Sequence, residues 1–185
     1  MMTEISLNVL DVSENSTRAG ASLVTILVTA DTSADKLTIV IADDGCGMTE
    51  EQVAHVTDPF FTTRTTRKVG LGIPFFKYAA ESTGGSFHIE SEPGKGTTVT
   101  AVFGLSHIDR MPLGDMNATI HNLIVYHPDT DFLYTYTYND ASFTLDTREM
   151  REILGEIPLN TPEVSAYIME YLKENQQETD GGALI

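Results

Sequence analysis

Two β-rich runs near the start of the chain constrain its fold more than any other feature. Residues 22–30 (SLVTILVTA) and 36–42 (KLTIVIA) are rich in apolar and β-branched residues, and the turn-like segment DTSAD separates them. The preceding segment, residues 4–19, has apolar residues at helical spacing, which predicts a helix with one apolar face. The chain is therefore expected to begin with a helix followed by two strands.

The segments that follow continue this mixed order of helices and strands. Thr49 and Gln52 have the spacing of a capping box, which predicts the start of a short helix. A second long helix is predicted over residues 73–83, because two consecutive glycines follow it. Residues 86–90 and 97–103 predict a hairpin whose turn, EPGKG, contains proline and glycine. Without regular βαβ alternation, this order indicates an α+β fold, a two-layer sandwich whose mixed sheet carries helices on one face.

The charge of the chain is strongly acidic and unevenly distributed. Its 185 residues include 27 acidic and 11 basic side chains, a net charge of −16. Residues 1–104 have 13 acidic and 7 basic side chains, a net of −6, whereas residues 105–185 have 14 and 4, a net of −10. This shift predicts a boundary near Gly104 between a first domain (1–104) and a small, acidic α+β extension (105–185). Since binding to a phosphate backbone needs a basic surface, nucleic acid is not expected as a partner.

Neither a membrane span nor a secretory signal is expected. The apolar runs are much shorter than the ~20 residues that cross a bilayer, and Thr3, Glu4 and Asn8 interrupt the N-terminus where a signal peptide needs an apolar core. The single cysteine, Cys46, cannot form an intramolecular disulfide and is expected to be a small buried residue. These features predict a cytoplasmic protein without a membrane partner.

The acidic extension has β-like segments followed by helices. Residues 119–126 and 132–138 flank HPDTD, which predicts a hairpin, and residues 143–146 predict a third strand. The segment TREMREILG predicts a short helix that ends at its glycine, and a last helix is predicted from Thr161. The apolar stripe of that last helix is more typical of core packing than of a partner site. The polar residues 174–182 are expected to be disordered.

Four polar residues of the first helix could form a binding site. Asn8, Asp11, Asn15 and Arg18 are spaced by three or four residues, so they are expected on one face, opposite the apolar stripe. Such a face is either a solvated surface or a magnesium-nucleotide site. An amide oxygen suits Mg²⁺ together with waters and phosphates, and a carboxylate one turn away could orient or deprotonate a water.

Two glycine-containing segments could hold the rest of a nucleotide. In DDGCGM, Gly45 and Gly47 allow the backbone to approach a flat ligand closely, and Asp43 could accept a hydrogen bond from an exocyclic amine. The alternative to a ligand-binding loop is a tight turn with a capping Asp. The segment KVGLG (68–72) leads into a helix, so its glycines and the free amides of that helix could cradle phosphates. Three of the eleven basic residues lie at or just before it: Arg64, Arg67 and Lys68.

Together, the order and spacing of these motifs resemble those of a known superfamily. The chain is similar to the GHKL superfamily of Bergerat-fold ATP-binding domains over about residues 4–104, and is closest to its histidine-kinase branch. The boxes that carry the resemblance are LDVSENSTRAGA (10–21, the N box), DDGCGM (43–48, G1), DPFFTTR (58–64, F), VGLGI (69–73, G2) and GKGTT (94–98, the last glycine box).

The resemblance implies ATP and Mg²⁺ as cofactors and a role for each matching residue. Asn15 would ligate Mg²⁺, and Asp43 would recognise the adenine amino group beside Gly45 and Gly47. Arg18 would contact phosphate. Residues 62–69 would form the ATP lid. The remaining nucleotide contacts would come from Arg64, Arg67, Gly70, Leu71 and Gly72 near the phosphates and from Thr98 at the adenine end.

Three departures from the family pattern bear on function. Asp11 stands where hydrolytic members have Glu and kinases typically have Asn, so base catalysis is one option. Lys68 takes the place of the first lid glycine. No segment before the N box offers dimerisation helices with a phosphoacceptor histidine, and none of the five histidines lies in an acceptor-like motif.

These features favour a stand-alone, histidine-kinase-like module for signal transduction of the two-component type. It is expected to transfer the γ-phosphate of Mg·ATP to a His or Ser of a separate protein, with charge neutralisation by Mg²⁺, Arg18 and Lys68. Two alternatives remain: a nucleotide-responsive module that binds a regulatory partner without kinase activity, and a slow ATPase that uses Asp11. A homodimer is also left open.

Overall fold

A computed structural model of the chain describes residues 2–58 and 72–185. The elements follow in the order α1 (Ile5–Arg18), β1 (Leu23–Asp31), β2 (Lys36–Asp43), α2 (Glu50–Val56), α3 (Gly72–Glu81), β3 (Ser86–Glu92), β4 (Gly96–Gly104), α4 (Met116–Tyr126), β5 (Asp131–Tyr138), β6 (Ala141–Asp146), α5 (Thr147–Leu154) and α6 (Pro162–Asp180).

The strands form one six-stranded sheet in the order β3-β4-β2-β1-β5-β6. Neighbouring strands are antiparallel except for β1 and β5, which are parallel. Every second residue of β1 is buried, because the helices cover one face of the sheet. The predicted α+β sandwich with a mixed sheet and helices on one face is confirmed.

The first helix, the first four strands and α2 agree with the sequence-based prediction. At the start of α2, Thr49 Oγ1 accepts from the Gln52 amide at 3.2 Å and Gln52 Oε1 accepts from the Thr49 amide at 2.8 Å. The predicted capping box is therefore confirmed. The glycines after α3 end that helix as expected, with Gly84 at a φ of 74°.

Residues 105–185 extend the same sheet. Strand β5 pairs with β1 from Leu23↔Asp131 to Ala30↔Tyr138, and β6 then pairs with β5. The sheet thus continues across the compositional boundary near Gly104. The predicted hairpin of β5 with the segment before it is wrong, because residues 119–126 belong to helix α4.

Helix α4 has a capped start and one buried face. The Asp115 carboxylate accepts from the Ala118 amide at 2.8 Å, which satisfies a free donor of the first turn. Ile120, Leu123 and Ile124 are buried, and their spacing of three and four residues is that of a helix face. Burial of this face outweighs the strand preference of its β-branched residues.

Helix α6 continues to Asp180, so the predicted disorder of residues 174–182 is wrong. The Asp180 carboxylate accepts from the Tyr136 hydroxyl at 2.9 Å and from the Gly182 amide at 2.8 Å, which ties the end of α6 to the sheet. Within residues 2–58 and 72–185, no helix is both long enough and apolar enough to cross a membrane.

Helix α1 occupies the middle of the helical layer. It packs against α3 on one side and α4 on the other, and its Ile5, Val9 and Val12 are buried in the core. Beside it, Phe76 of α3 packs edge-to-face against Phe87 and at a tilt against Phe103 of the sheet, with ring centroids 6.0 and 5.9 Å apart. The polar residues of α1 are therefore held between two helices on a well-packed base.

Candidate nucleotide site

Asp43 lies at the end of β2 with both carboxylate oxygens held. Its Oδ2 accepts from Ser16 Oγ of α1 at 2.6 Å, and its Oδ1 accepts from the Gly45 amide at 2.9 Å. An ionised carboxylate has about four acceptor positions, so these two bonds orient Asp43 and leave capacity for a ligand amine. The sequence prediction missed Ser16, although it directly follows Asn15 in the N box.

Asp44, the next residue, has a different role. It accepts hydrogen bonds from the Ser22 and Leu23 amides at 2.8 and 3.0 Å and from the Ser22 hydroxyl. Partial burial raises the pKa of Asp44, but these hydrogen bonds outweigh that effect and the pKa lies below its ordinary value. Asp44 thus fastens the loop to the start of β1, whereas Asp43 remains available to a ligand.

The loop after Asp43 is clamped between α1 and the β3–β4 turn. The Cys46 amide donates to the Ala19 carbonyl at 3.0 Å, and the Cys46 carbonyl accepts from the Gly94 amide at 2.8 Å. A Cβ on Gly45 would lie 3.0 Å from Ala19 Cβ, and one on Gly47, at a φ of 66°, would lie 2.0 Å from the Glu92 carbonyl oxygen. Only glycine fits at residue 47, and the loop has a fixed shape.

The Cys46 side chain is exposed, so its predicted burial is wrong. The Cys46 backbone faces α1 and the hairpin, and both of its polar groups are hydrogen-bonded. The side chain is left on the outer side of the loop. The sequence could not distinguish this arrangement from a buried thiol, because both are compatible with flanking glycines.

The last glycine box closes over the end of β2. A Cβ on Gly96 would lie 1.9 Å from the Asp43 carbonyl oxygen, so the two strands approach closely there. In the β2–β4 pairing, Thr97 lies opposite Asp43 and Thr98 lies opposite Ala42. Side chains alternate along a strand, so Thr97 shares the face of Asp43 and the predicted Thr98 points to the other face.

Thr97 is part of a small hydrogen-bonded network that sequence reasoning missed. The Ser91 hydroxyl lies 2.8 Å from the Thr97 hydroxyl and accepts from the Met48 amide at 2.8 Å. This network connects the hairpin to the loop that follows Asp43. Apolar residues recur at every second position from residue 99 to residue 103. This alternation is the sequence signal that could have identified Thr97 as a residue of the same face.

The polar face of α1 is brought directly against α3. Asp11 and Asn15 are half-buried, whereas Arg18 is exposed. A Cβ on Gly72 would lie 1.7 Å from Asp11 Oδ2, so the Asp11 carboxylate packs on the first residue of α3. Arg18 instead lines a separate hollow of about 320 Å³ beside His127. The structure thus brings Asp11 to Gly72 and places Arg18 on the α4 side.

Asn8 does not belong to a solvated surface, one of the two alternatives that helical spacing left open for this face. It is fully buried, and in the described part of the chain neither polar atom of its side chain has a hydrogen-bond partner. A buried polar group without a partner costs about 1–3 kcal/mol. Asn8 precedes Asp11 by three residues and so lies on the same side of α1. This side of the helix therefore contains a buried amide that the described part of the chain leaves unsatisfied.

These residues fit a magnesium-nucleotide complex. In residues 2–58 and 72–185, no group of three His, Cys, Asp or Glu side chains could hold a metal by itself. Mg²⁺ commonly takes few protein ligands and keeps waters and phosphate oxygens, which matches one amide and one carboxylate on α1. The predicted phosphate contacts Arg64, Arg67, Lys68, Gly70 and Leu71 lie outside the described residues, so these contacts stay predictions.

Comparison with known proteins identifies the family of the chain. Residues 1–107 match the family model "Histidine kinase-, DNA gyrase B-, and HSP90-like ATPase". A putative sensor protein of Shewanella frigidimarina is 37% identical over 70 residues, which are 37% of this chain and 11% of that protein. Sporulation kinase E of Bacillus subtilis is 40% identical over 63 residues, which are 34% of this chain and 8% of that kinase. Sensor protein SrrB of Staphylococcus aureus is 32% identical over 102 residues, which are 52% of this chain and 17% of that protein. The chain thus spans less than a fifth of the length of each of these relatives.

A solved structure, the N-terminal domain of a DNA repair protein, has a similar fold. Its TM-score is 0.55 at 13% sequence identity, and the match covers 78% of this chain and 52% of that one. At this identity the likeness shows the fold alone. The family match covers more than half of the chain, in agreement with the five boxes. The chain therefore belongs to the family of histidine kinase-, DNA gyrase B- and HSP90-like ATPases.

Proposed function

We propose that this chain is a Mg·ATP-dependent kinase module that transfers the γ-phosphate to a His or Ser side chain of another protein. Family membership supports ATP as the phosphate donor. The observation that carries the choice of a kinase over a hydrolase is the match to sporulation kinase E of Bacillus subtilis, which is 40% identical over 63 residues.

The adenine end of the nucleotide would lie at Asp43. Its carboxylate is oriented by Ser16 and Gly45 and would accept a hydrogen bond from the adenine amino group. Gly47 and Gly96 keep the surrounding backbone close to that carboxylate. Thr97, on the same face as Asp43, would contribute its hydroxyl to the same end of the ligand.

The phosphate end would lie between α1 and the start of α3. When bound, Mg·ATP supplies the phosphoryl group and the metal neutralises its charge. Asp11 and Asn15 are four residues apart and so present a carboxylate and an amide on one face of α1, a suitable pair for Mg²⁺. The first amides of α3 would bind phosphate oxygens, as helix N-termini do.

The contact of Asp11 with Gly72 gives this carboxylate a positioning role. Asp11 Oδ2 packs on the first residue of α3, so the carboxylate is positioned to bridge α1 and α3. The contact involves one of the two carboxylate oxygens, and the variant Asp11→Asn tests whether the carboxylate also acts as a base. We therefore assign Asp11 to metal binding and α3 positioning, and Lys68 to charge neutralisation. Arg18 lines the hollow beside His127 and is given no phosphate role.

Two of the five histidines join elements of the fold, which favours an acceptor on another protein. His121 Nε2 lies 2.8 Å from the Ser165 hydroxyl and joins α4 to α6, and His127 Nε2 lies 2.8 Å from Glu14 Oε1. Both contacts have structural roles. Transfer to an acceptor protein would leave them intact.

The fate of the γ-phosphate tests the proposal. Purified chain would be incubated with [γ-³²P]ATP and Mg²⁺, alone and with fractionated extract of the source cell, beside Asp11→Asn, Asp43→Asn and the exposed control Asp140→Asn. We expect negligible phosphate release by the chain alone. Labelling of a second protein should be lost in Asp43→Asn and kept in Asp11→Asn and Asp140→Asn. Acid-labile label would indicate His and acid-stable label Ser. Steady phosphate release abolished by Asp11→Asn would overturn the proposal in favour of an ATPase.

A second candidate is a nucleotide-responsive module that binds a partner without phosphoryl transfer. The observation that favours it is that two contacts join α1 to residues 105–185. Glu14 Oε1 lies 2.8 Å from His127 Nε2, and the Thr119 hydroxyl donates to the Ser6 carbonyl at 3.4 Å. A nucleotide that shifts α1 would therefore also act on α4 and β5. Altered amide exchange of β5 and β6 with ATP, but no labelled protein, would favour this candidate.

A further inference from the structure

Helix α5 has an apolar side that the described part of the chain leaves largely uncovered. Ile153 is 85% exposed, and Met150 and Leu154 are only half-buried. Facing α5, helix α6 presents Tyr167, which is 57% exposed. Isolated exposed apolar residues are ordinary, but a contiguous set between two helices indicates an interaction site.

These residues border a groove of about 480 Å³ between β6, α5 and α6. The α5–α6 groove, as we call it, is formed mainly by Leu145, Met150, Ile153, Leu154, Val164 and Tyr167. A groove of this size between two helices and a strand can accept a few apolar side chains from an amphipathic helix.

The adjacent strand edge is partly used by α6. Among the described strands, β6 pairs only with β5 and forms one end of the sheet. The Tyr171 hydroxyl donates to the Thr144 carbonyl at 3.1 Å, so α6 already uses a polar group of β6. Side chains line the groove itself, so an occupant of the groove would bind through side-chain contacts.

The charge around the groove selects among possible occupants. Glu149 and Glu163 line it. The basic residues nearby are already paired: Arg148 with Asp146 at 2.7 Å and Arg151 with Asp131 at 2.8 Å. The rim therefore presents unbalanced negative charge.

This negative charge disfavours three kinds of occupant. A second copy of this chain would bring another net charge of −16 to the same surface. An anionic membrane and nucleic acid would be repelled in the same way. A protein segment with apolar anchors and flanking Lys or Arg fits both the lining and the rim.

We propose that the α5–α6 groove is the docking site for an amphipathic, basic helical segment of a partner protein. The segment would insert apolar side chains at positions i, i+3 or i+4, and i+7, and would place Lys or Arg next to Glu149 and Glu163. The proposal concerns a surface separate from Asp43 and Asp11, and it does not depend on the fate of the nucleotide.

Selection from a displayed library of random 16-residue peptides tests this proposal. The library would be selected against the immobilised full chain, and enriched peptides would be synthesised and their affinities measured by fluorescence polarisation. We expect enriched peptides to have a net positive charge and apolar residues at helical spacing. The double substitution of Ile153→Ser and Tyr167→Ser should weaken their binding at least tenfold, since central apolar anchors dominate such interfaces.

Matched controls keep the test independent of folding and of general charge attraction. Ile108 and Tyr78 are 93% and 71% exposed on other surfaces, so Ile108→Ser with Tyr78→Ser should leave peptide affinity within about twofold of wild type. Glu149→Gln with Glu163→Gln should weaken binding about threefold and reduce its salt dependence.

Several outcomes would overturn the proposal. These are equal peptide binding by the Ile153 and Tyr167 double variant, enrichment of acidic or uncharged peptides, or no enrichment at all. A concentration-dependent dimer that sedimentation detects in wild type but not in the double variant would assign the groove to self-association instead.

Discussion

The two parts of the sheet achieve close packing by different means. Around the candidate nucleotide site, backbone segments touch at glycines. A Cβ at Gly47 would overlap the carbonyl oxygen of Glu92, and a Cβ at Gly96 would overlap that of Asp43. In residues 105–185 the contacts are between side chains, such as the Tyr136–Asp180 hydrogen bond and the packing of Phe143 on Tyr134 at 5.8 Å. A Cβ at Gly181 would meet nothing within 4 Å.

This difference separates a site of fixed shape from a surface that can adapt. Backbone contacts tolerate no added atom, so the loop from Asp43 to Met48 can match the outline of one flat ligand. Side chains in the α5–α6 groove can change rotamer, which suits a peptide more than a nucleotide. The following substitutions test whether the contrast is real.

The largest effect is expected from Gly47→Ala. Its Cβ would lie 2.0 Å from the Glu92 carbonyl oxygen at a positive φ, so the free energy of unfolding should fall by about 3 kcal/mol or more. Gly181→Ala, also at a positive φ but with open space, should cost about 1 kcal/mol. Urea denaturation of both variants measures the difference. Equal losses would show that the loop is not tightly clamped.

The second comparison is between Asp43→Asn and Asp44→Asn. Asp43→Asn should weaken ATP binding at least tenfold, because an amide replaces an acceptor of the ligand amine, with a smaller effect on unfolding. Asp44→Asn should leave ATP affinity within about threefold but lower the free energy of unfolding by about 1 kcal/mol. Isothermal titration with ATP and urea denaturation test the pair, and an exchange of the two phenotypes would reassign the ligand carboxylate.

The same pair predicts a pH dependence. The pKa of Asp44 lies below its ordinary value of 3.8, so its hydrogen bonds stabilise the fold above that pH, and the stabilisation is lost as pH falls through the lowered pKa. The stability gap between wild type and Asp44→Asn should therefore be full at neutral pH and shrink below about pH 4. Urea denaturation at neutral and acidic pH measures it. A gap that widens on acidification would contradict the assigned sign.

A third effect, comparable in size, is expected for two tyrosines of β5. The pKa of Tyr134 is raised mainly by burial and, to a lesser extent, by the Asp180 carboxylate. The pKa of Tyr136 is raised mainly by burial and also by its hydrogen bond to Asp180. Both hydroxyls therefore stay protonated. Tyr136→Phe removes the donor to Asp180 and should cost about 1–2 kcal/mol. Tyr134 OH has no hydrogen-bond partner within the described residues, so Tyr134→Phe should be neutral or stabilising. Thermal denaturation ranks the two variants, and the reverse order would contradict this account.

The smallest effect is expected for the hydrogen-bonded contact between Glu14 and His127, which joins the two parts. Glu14 and His127 are 2.8 Å apart and partly exposed, so Glu14→Gln should lower the free energy of unfolding by less than about 1 kcal/mol. It should nevertheless reduce any ATP-induced change in amide exchange of β5. The exposed variant Asp140→Asn is the control. An unchanged response of β5 would show that this pair does not couple the two parts.

Much of the first hundred residues could be predicted because their signals are local. The helical spacing of α1, the alternation in β1 and β2 and the capping box at Thr49 each depend on residues near one another in the chain. The family boxes then predict that Asp43 and Asn15 belong to one site. Ser16 and Thr97 needed the sheet register and the packing of α1, which neighbouring residues do not reveal.

The C-terminal part was harder to predict because its structure depends on distant contacts. Residues 119–126 have β-branched residues but bury Ile120 and Leu123 as a helix between α1 and α6. The cap at Asp115 was the local signal for that helix. The parallel pairing of β5 with β1 has no short-range signature, since a crossover of many residues separates the strands.

That parallel pairing has a consequence for synthesis on the ribosome. Strand β1 is synthesised about a hundred residues before its partner β5. At a synthesis rate of about 5–20 residues per second, one edge of this apolar strand stays unpaired for roughly 5 to 20 seconds. An open edge invites pairing with other chains. The nascent chain is therefore expected to depend on holdase chaperones until residue 138 has left the exit tunnel, and truncation near Gly104 should make that vulnerability permanent.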